Sequence, residues 1–222
     1  MQENYKRVKI AIFDVCSSYV YFNTTFRFIE FVAKNDGELR KYLFKNIYFL
    51  RKIRFYRIFG DLLYRKHMIR LLKGFCKSDL YKLASDFVND EMIFNINIKV
   101  DRIFKELKLK GYKCILLSAA ISPPIIYFAE KVKADRYFAS ELTFDKNNIV
   151  KGKLGTDLLN DKKNVLVKQV QPLYGEIDFG KSYCITDNIE DLGLLEMFGN
   201  PMVVLHKGNR DFWNEHHFPI VR

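Results

Sequence analysis

Three short apolar runs in this chain each end on a side chain able to act on a ligand. Val8 to Phe13 (VKIAIF) ends at Asp14, Cys114 to Leu117 (CILL) at Ser118, and Tyr183 to Thr186 (YCIT) at Asp187. Each alone is an ordinary cap, because Asp and Ser oxygens accept hydrogen bonds from the free N–H groups of a helix's first turn. Three together carry more weight. In a parallel α/β sheet ligands bind outside the carboxyl ends of the strands, so two carboxylates and a hydroxyl placed there mark a reaction site.

The elements that would hold them there follow from periodicity. The three runs, with Met202 to Leu205 (MVVL) as a fourth, are short, apolar and rich in β-branched residues, the pattern of buried strands. Helical patterns flank them at Val100 to Leu109, Ser122 to Val132, Asp161 to Val170 and Ile189 to Phe198. Strand–helix alternation predicts an α/β fold: a Rossmann-like, three-layer core with a parallel sheet covered on both faces. Between the first two strands lies a long segment with apolar residues at helical spacing, among them Phe28, Val32, Leu72, Leu80 and Phe87. It is too long for one crossover, and it predicts an inserted helical cap above the strand ends. The expected division is a core of residues 1–17 and 97–222 and a cap of residues 18–96. Thr143 to Lys153, with Asn147 and Asn148 at its middle, predicts a hairpin.

Composition narrows the class. At 222 residues and 49% hydrophobic the chain can bury a substantial core. No stretch is long and apolar enough for a membrane span, so a cytoplasmic protein is expected. Cys16, Cys76, Cys114 and Cys184 lie far apart, without the spacing of a zinc site or a disulfide framework. The net charge of +11 is concentrated: residues 34–82 hold 14 Lys/Arg against 4 Asp/Glu. Solvated helix faces account for such a region. An anionic substrate, a nucleic acid or a membrane surface are the functional readings, but no nucleic-acid signature accompanies it and no nucleic-acid partner is expected.

Four blocks then fall in a familiar order. FDVCSS (Phe13 to Ser18), LLSAA (Leu116 to Ala120), DKKNVL (Asp161 to Leu166) and ITDNIEDLGLLEMFGNPMVV (Ile185 to Val204) resemble the four motifs of the haloacid dehalogenase superfamily. The likeness is to the phosphoserine-phosphatase-type branch, which carries a helical cap after the first strand. The resemblance implies a Mg²⁺-dependent phosphatase of small phosphorylated metabolites. Asp14 would be the nucleophile that forms an aspartyl-phosphate. Ser118 and Ala119 would bind the phosphoryl oxygens, and a Lys opening the next helix would neutralise them. Lys162 is favoured over Lys163, because Leu166 follows it at the family's spacing. Asp14, Asp187, Asp191 and the main chain of Cys16 would hold Mg²⁺, a hard cation suited to oxygen ligands. Asp191 lies one helical turn after Asp187, so both can face one ion.

Cys16 is also the departure. The family's phosphatases carry there a second Asp, the general acid and base of the reaction, and a thiol is a weak replacement. Ser17 stands where Gly is usual and Ser18 where Thr is usual. Tyr19 or His67 could supply the proton, the leaving group could need little protonation, or catalysis has decayed. The last case leaves an alternative function: a weakened relative that binds a phosphorylated ligand or partner in a regulatory role. The aromatic stretch Tyr42 to Phe59 is read as cap core, with Phe22 and Arg27 at the cap hinge as second places to look for specificity. Trp213 and Phe212 are expected to pack the last helix on the core. The adjacent His216 and His217 point apart on a helix and form no metal pair. The ester itself and the oligomeric state are not legible.

Overall fold

The computed structural model describes residues 7–52 and 60–221. Its sheet has six strands in the order β4-β3-β2-β1-β5-β6. These are β1 (Ile10–Phe13), β2 (Lys113–Ile121), β3 (Arg136–Phe144), β4 (Val150–Thr156), β5 (Tyr183–Thr186) and β6 (Asn200–Val203). The pairs β1–β2, β1–β5, β2–β3 and β5–β6 are parallel, and β3–β4 is the antiparallel hairpin. Side-chain alternation divides the two faces: Ala11, Phe13, Cys114 and Leu116 enter one apolar cluster, and Ile10, Ile12, Ile115 and Leu117 the other.

Helices cover both faces. The first cluster takes in α5 (Ile98–Leu109) and α6 (Ser122–Val132) through Phe104, Leu107, Ile125 and Phe128. The second takes in α7 (Lys162–Val165), which continues through a π-helical turn (Leu166–Val170) into α8 (Gln171–Tyr174). It also includes α9 (Leu192–Leu195), which a 3₁₀ turn (Ile189–Asp191) precedes, and α10 (Arg210–His216), whose Trp213 is buried. The helices expected over Asp161–Val170 and Ile189–Phe198 are thus composite, because tertiary packing sets the backbone of these short segments more than propensity does. β2 is longer than the apolar run CILL suggests. Gly199 closes the turn into β6 against the backbone of Gly180, where any Cβ would collide.

The insertion between β1 and β2 contains α1 (Thr24–Asn35), α2 (Glu38–Lys52), α3 (Asp61–Arg70) and α4 (Lys77–Phe87). Asn23 caps α1 by accepting the Phe26 N–H at 3.2 Å. The two linkers of the insertion run side by side, with Asn97 N–H donating to Tyr19 C=O at 2.8 Å and Tyr21 N–H to Asn95 C=O at 3.0 Å. Phe28, Met68, Leu80 and Phe87 of the insertion belong to the same apolar cluster as Phe13 and Phe104. Tyr42, Tyr48 and Phe49 do not: they are 63%, 56% and 58% exposed, and only Phe44 of the described aromatics of that stretch is packed on the core. The expectation of a packed aromatic core there is therefore corrected, since α2 turns only Phe44, Ile47 and Leu50 inward. Phe55, Tyr56 and Phe59 lie outside the described residues.

Phe104 joins the sheet to the linker, with ring centroids 5.0 Å from Phe13 and 5.5 Å from Tyr19. Phe104→Ala is expected to lower unfolding free energy by about 3–5 kcal/mol in a denaturant titration. A loss below about 1 kcal/mol would mean this cluster is not the packing centre.

Candidate active site

β1 is central and fully buried, so it delivers Asp14 to the sheet's carboxyl edge almost without exposure, at 5%. Asp14 Oδ1 accepts the Val15 N–H at 2.8 Å. Its Oδ2 lies 3.1 Å from Lys162 Nζ. Lys162 opens α7 and is 3% exposed, whereas Lys163 faces solvent. The same Nζ donates to Asp191 Oδ2 at 2.6 Å, an oxygen that also accepts the Thr186 hydroxyl at 2.7 Å. One buried ammonium therefore ties the ends of β1 and β5 together.

Asp187, next after β5, is held from every side. Its Oδ1 accepts the Ser18 hydroxyl at 2.7 Å, and Oδ2 lies 3.1 Å from His206 Nε2. Its carbonyl accepts Asn209 Nδ2 at 2.7 Å and Trp213 Nε1 at 3.1 Å. The last helix thus does more than fill space: it fixes the backbone that aims Asp187. His206, Asn209 and Thr186 were missed in the sequence. His206 follows the fourth apolar run, so the strand-end rule that selected Asp14 and Ser118 would have found it.

β2 bends where the site needs free backbone groups. Its pairing with β3 shifts register between Leu117 and Ile121, which releases Ser118, Ala119 and Ala120 from the ladder. The Ala119–Ala120 peptide is held at both ends. Its N–H donates to Ser118 Oγ at 3.2 Å, and its carbonyl accepts Ser140 Oγ at 2.9 Å and Arg65 Nη2 at 2.7 Å. Arg65, from α3, also pairs with Asp157 Oδ1 at 3.0 Å. The insertion thereby reaches the segment of β2 that carries Ser118.

Cys16 is half-buried, its Sγ 3.9 Å from Ser118 Oγ. Burial, then the Asp14 charge, push its thiol above the ordinary range. Ser17 adopts φ 56°, the left-handed region, which explains why Gly suits that position; a Ser there costs on the order of 1–2 kcal/mol. Tyr19 is not at the reaction centre. It is fully buried, packs on Phe104 and Phe128, and donates its hydroxyl to Asp101 Oδ1 at 2.9 Å. Its hydroxyl is thus committed to Asp101, and burial with that carboxylate pushes its phenol far above the usual value. His67 lines a cavity of about 650 Å³ between α3 and β4, whose walls include neither Asp14, Ser118, Lys162, Asp187 nor Asp191. Arg27 is engaged by Glu91 and Glu30, and Phe22 packs on Phe87.

The electrostatics are unbalanced. Burial pushes Asp14 from 3.8 to about 7; Lys162 opposes this, while Asp191 and Asp187 add to it. Burial likewise raises Asp187 against the opposing effects of Ser18, Lys162 and His206. Lys162 loses solvation, but Asp14 and then Asp191 outweigh that and hold its ammonium protonated. Three acidic groups facing one lysine leave surplus negative charge, and their donor atoms are all oxygen. That chemistry suits a hard divalent cation. Among the described residues no three Asp, Glu, His or Cys side chains are gathered around one point, and Lys162 stands between two of the three carboxylates.

The family model for haloacid dehalogenase-like hydrolases matches residues 19–196. The chain belongs to that family. The match begins just after the Asp14 segment, so Asp14's place in the site rests on the geometry above. No curated protein matches. Among solved structures, a protein of unknown function from Bordetella pertussis Tohama I superposes with TM-score 0.80 at 17% identity, covering 98% of this chain and 99% of the other. A substrate-bound phosphoserine phosphatase gives TM-score 0.67 at 17% identity, covering 97% and 93%. A phosphoserine phosphohydrolase-like protein from Francisella tularensis subsp. tularensis SCHU S4 gives 0.65 at 16%, covering 97% and 95%. At such identities the likeness establishes the haloacid dehalogenase fold shared with phosphoserine phosphatases.

The Asp14 shift has a stability consequence. The folded state keeps the Asp14 proton up to about 7, and the unfolded chain releases it near 3.8. Between those values the folded state binds more protons, so its stability falls as pH rises, by about 1.36 kcal/mol per unit at most from this group. In chelator, urea titrations across this window are expected to show that decline, and Asp14→Asn is expected to flatten it. An unchanged slope in Asp14→Asn would contradict the assigned environment.

Proposed function

We propose that this chain is a Mg²⁺-dependent phosphatase that hydrolyses a small phosphate monoester through an aspartyl-phosphate on Asp14. The observation that carries the reading is the buried Lys162 bonded at once to Asp14 and Asp191 at the strand ends. The Asp14 oxygen would attack phosphorus as the ester P–O bond breaks, and the leaving oxygen would take a proton from solvent to depart as the alcohol, since the Cys16 thiol is a poor donor. Water would then attack the same phosphorus, releasing phosphate and regenerating the carboxylate. Asp14 needs no base, because carboxylate formation is already within reach at neutral pH. The Ser118 hydroxyl, the released backbone N–H groups around Ala119, and Lys162 would hold the phosphoryl oxygens as charge builds on them. Asp14, Asp187, Asp191 and the Cys16 carbonyl would hold Mg²⁺, which when bound supplies charge neutralisation and polarisation of the phosphoryl group. Residues 18–96 would act as the cap, and residues 1–17 with 97–222 as the core. The four cysteines are free thiols, which fits a reducing, cytoplasmic setting.

Cys16 sets the rate. A thiol pushed upward by burial and Asp14 stays protonated at neutral pH, so it does not activate the water of the second step. The same replacement removes the acid that would protonate the leaving oxygen, so the aspartyl-phosphate should accumulate most readily from donors whose leaving group needs little protonation. The same fact supports a second reading, in which the weakened site retains a phosphorylated ligand or partner for regulation.

A panel of small phosphate esters with Mg²⁺ separates the two. Slow turnover in wild type, none in Asp14→Asn, and a gain of about 10²–10⁴ in Cys16→Asp are expected for the hydrolase, because that is what one general acid–base group contributes. No turnover in wild type with activity appearing only in Cys16→Asp would support the binding role. Inactivity of both would contradict the phosphatase reading.

A further inference from the structure

We propose that α2 is an interfacial helix that holds the protein on an anionic lipid bilayer. None of its 15 residues is buried. Phe44, Ile47 and Leu50 face the protein, where they pack against the apolar cluster. On the opposite side helical spacing places Glu38, Tyr42, Lys45, Phe49 and Lys52 along one stripe, with Glu38 paired to Lys41. Tyr42 and Phe49 on it are 63% and 58% exposed, with Leu39 at 73% and Tyr48 at 56% flanking. Large apolar side chains left in water on one face mark an interaction surface rather than a solvated one. Alternation of aromatic rings with lysines narrows the partner. The rings suit the boundary between headgroups and acyl chains, and lysines bury their stems while keeping their ammonium groups among the phosphates.

Charge selects the lipid. α2 itself carries Arg40, Lys41, Lys45, Arg51 and Lys52 against Glu38, and each cation near an anionic surface adds attraction. A nucleic acid would feel the same field, but it is usually gripped in a groove that stacks bases on aromatic rings. α2 instead presents a single helix surface, flanked by aliphatic Leu39. No helix among the described residues is long and apolar enough to cross a membrane, so attachment would be peripheral.

The test is flotation of the full chain with vesicles of phosphatidylcholine alone and of phosphatidylcholine mixed with phosphatidylglycerol, at low and high salt. Binding at least tenfold tighter to the mixed vesicles and weakened by salt is expected. Tyr42→Ser/Phe49→Ser and Lys45→Glu/Lys52→Glu should each reduce it about tenfold or more, with circular dichroism and Tm unchanged. A milder Lys45→Gln/Lys52→Gln pair serves if the Glu pair alters the fold. Equal binding to both vesicles, no binding to either, or binding indifferent to both pairs would overturn the proposal. So would RNA binding that the lysine pair abolishes while vesicles are ignored.

Discussion

The arrangement depends on one buried ammonium. Lys162 sits at the carboxyl edge of two parallel strands and bonds Asp14, just after β1, and Asp191, in the turn that follows β5, in a setting where an unpaired charge of either sign would be costly. Without it, Asp14 and Asp191 would repel each other across the seam between β1 and β5. With it, the carboxyl edge of the sheet can hold three acidic groups while keeping a net appetite for positive charge. The rest of the fold serves that junction. β1 and β5 fix the spacing, α7 presents the lysine, and the Asn209 and Trp213 bonds to the Asp187 carbonyl lock the third acid.

Much of this is legible in the residues because buried parallel strands are simple objects. A short apolar run between helical patterns has one natural place, and its last residue points to the sheet edge. Asp14, Ser118 and Asp187 emerge from that rule alone. Lys162 against Lys163 needed a family spacing, and the structure separates the two by burial. Less legible are contacts that cross the fold. Arg65 lies in a helical run of basic residues like its neighbours, and nothing local says that its guanidinium reaches the Ala119 carbonyl. Tyr19 sits five residues beyond Asp14, close enough in sequence to suggest chemistry, but its ring direction is set by Phe104 and Phe128. The exposed rings of α2 mislead for the opposite reason. Apolar spacing reports a face that avoids water without saying whether protein covers it.

Cys16 gives the site its particular character. On the proposed reading, Asp14, Lys162 and the Ser118 segment would form a phosphoenzyme, whereas the residue that would hasten its breakdown is a thiol that burial and Asp14 keep protonated. The two halves of the reaction should therefore be unequal where the leaving group needs little protonation, because only the second half then lacks its catalyst. Whether the chain is a slow catalyst or a phosphate-responsive binder depends on the second half. Both roles require the first.

The most direct measurement is rapid acid quench of the Mg²⁺-loaded protein with acetyl phosphate, followed by reductive trapping and peptide mass spectrometry. The account predicts a modified carboxylate at Asp14 that accumulates in wild type, is absent in Asp14→Asn and decays faster in Cys16→Asp. Phosphate release with no trapped carboxylate, or a label on another residue, would contradict it.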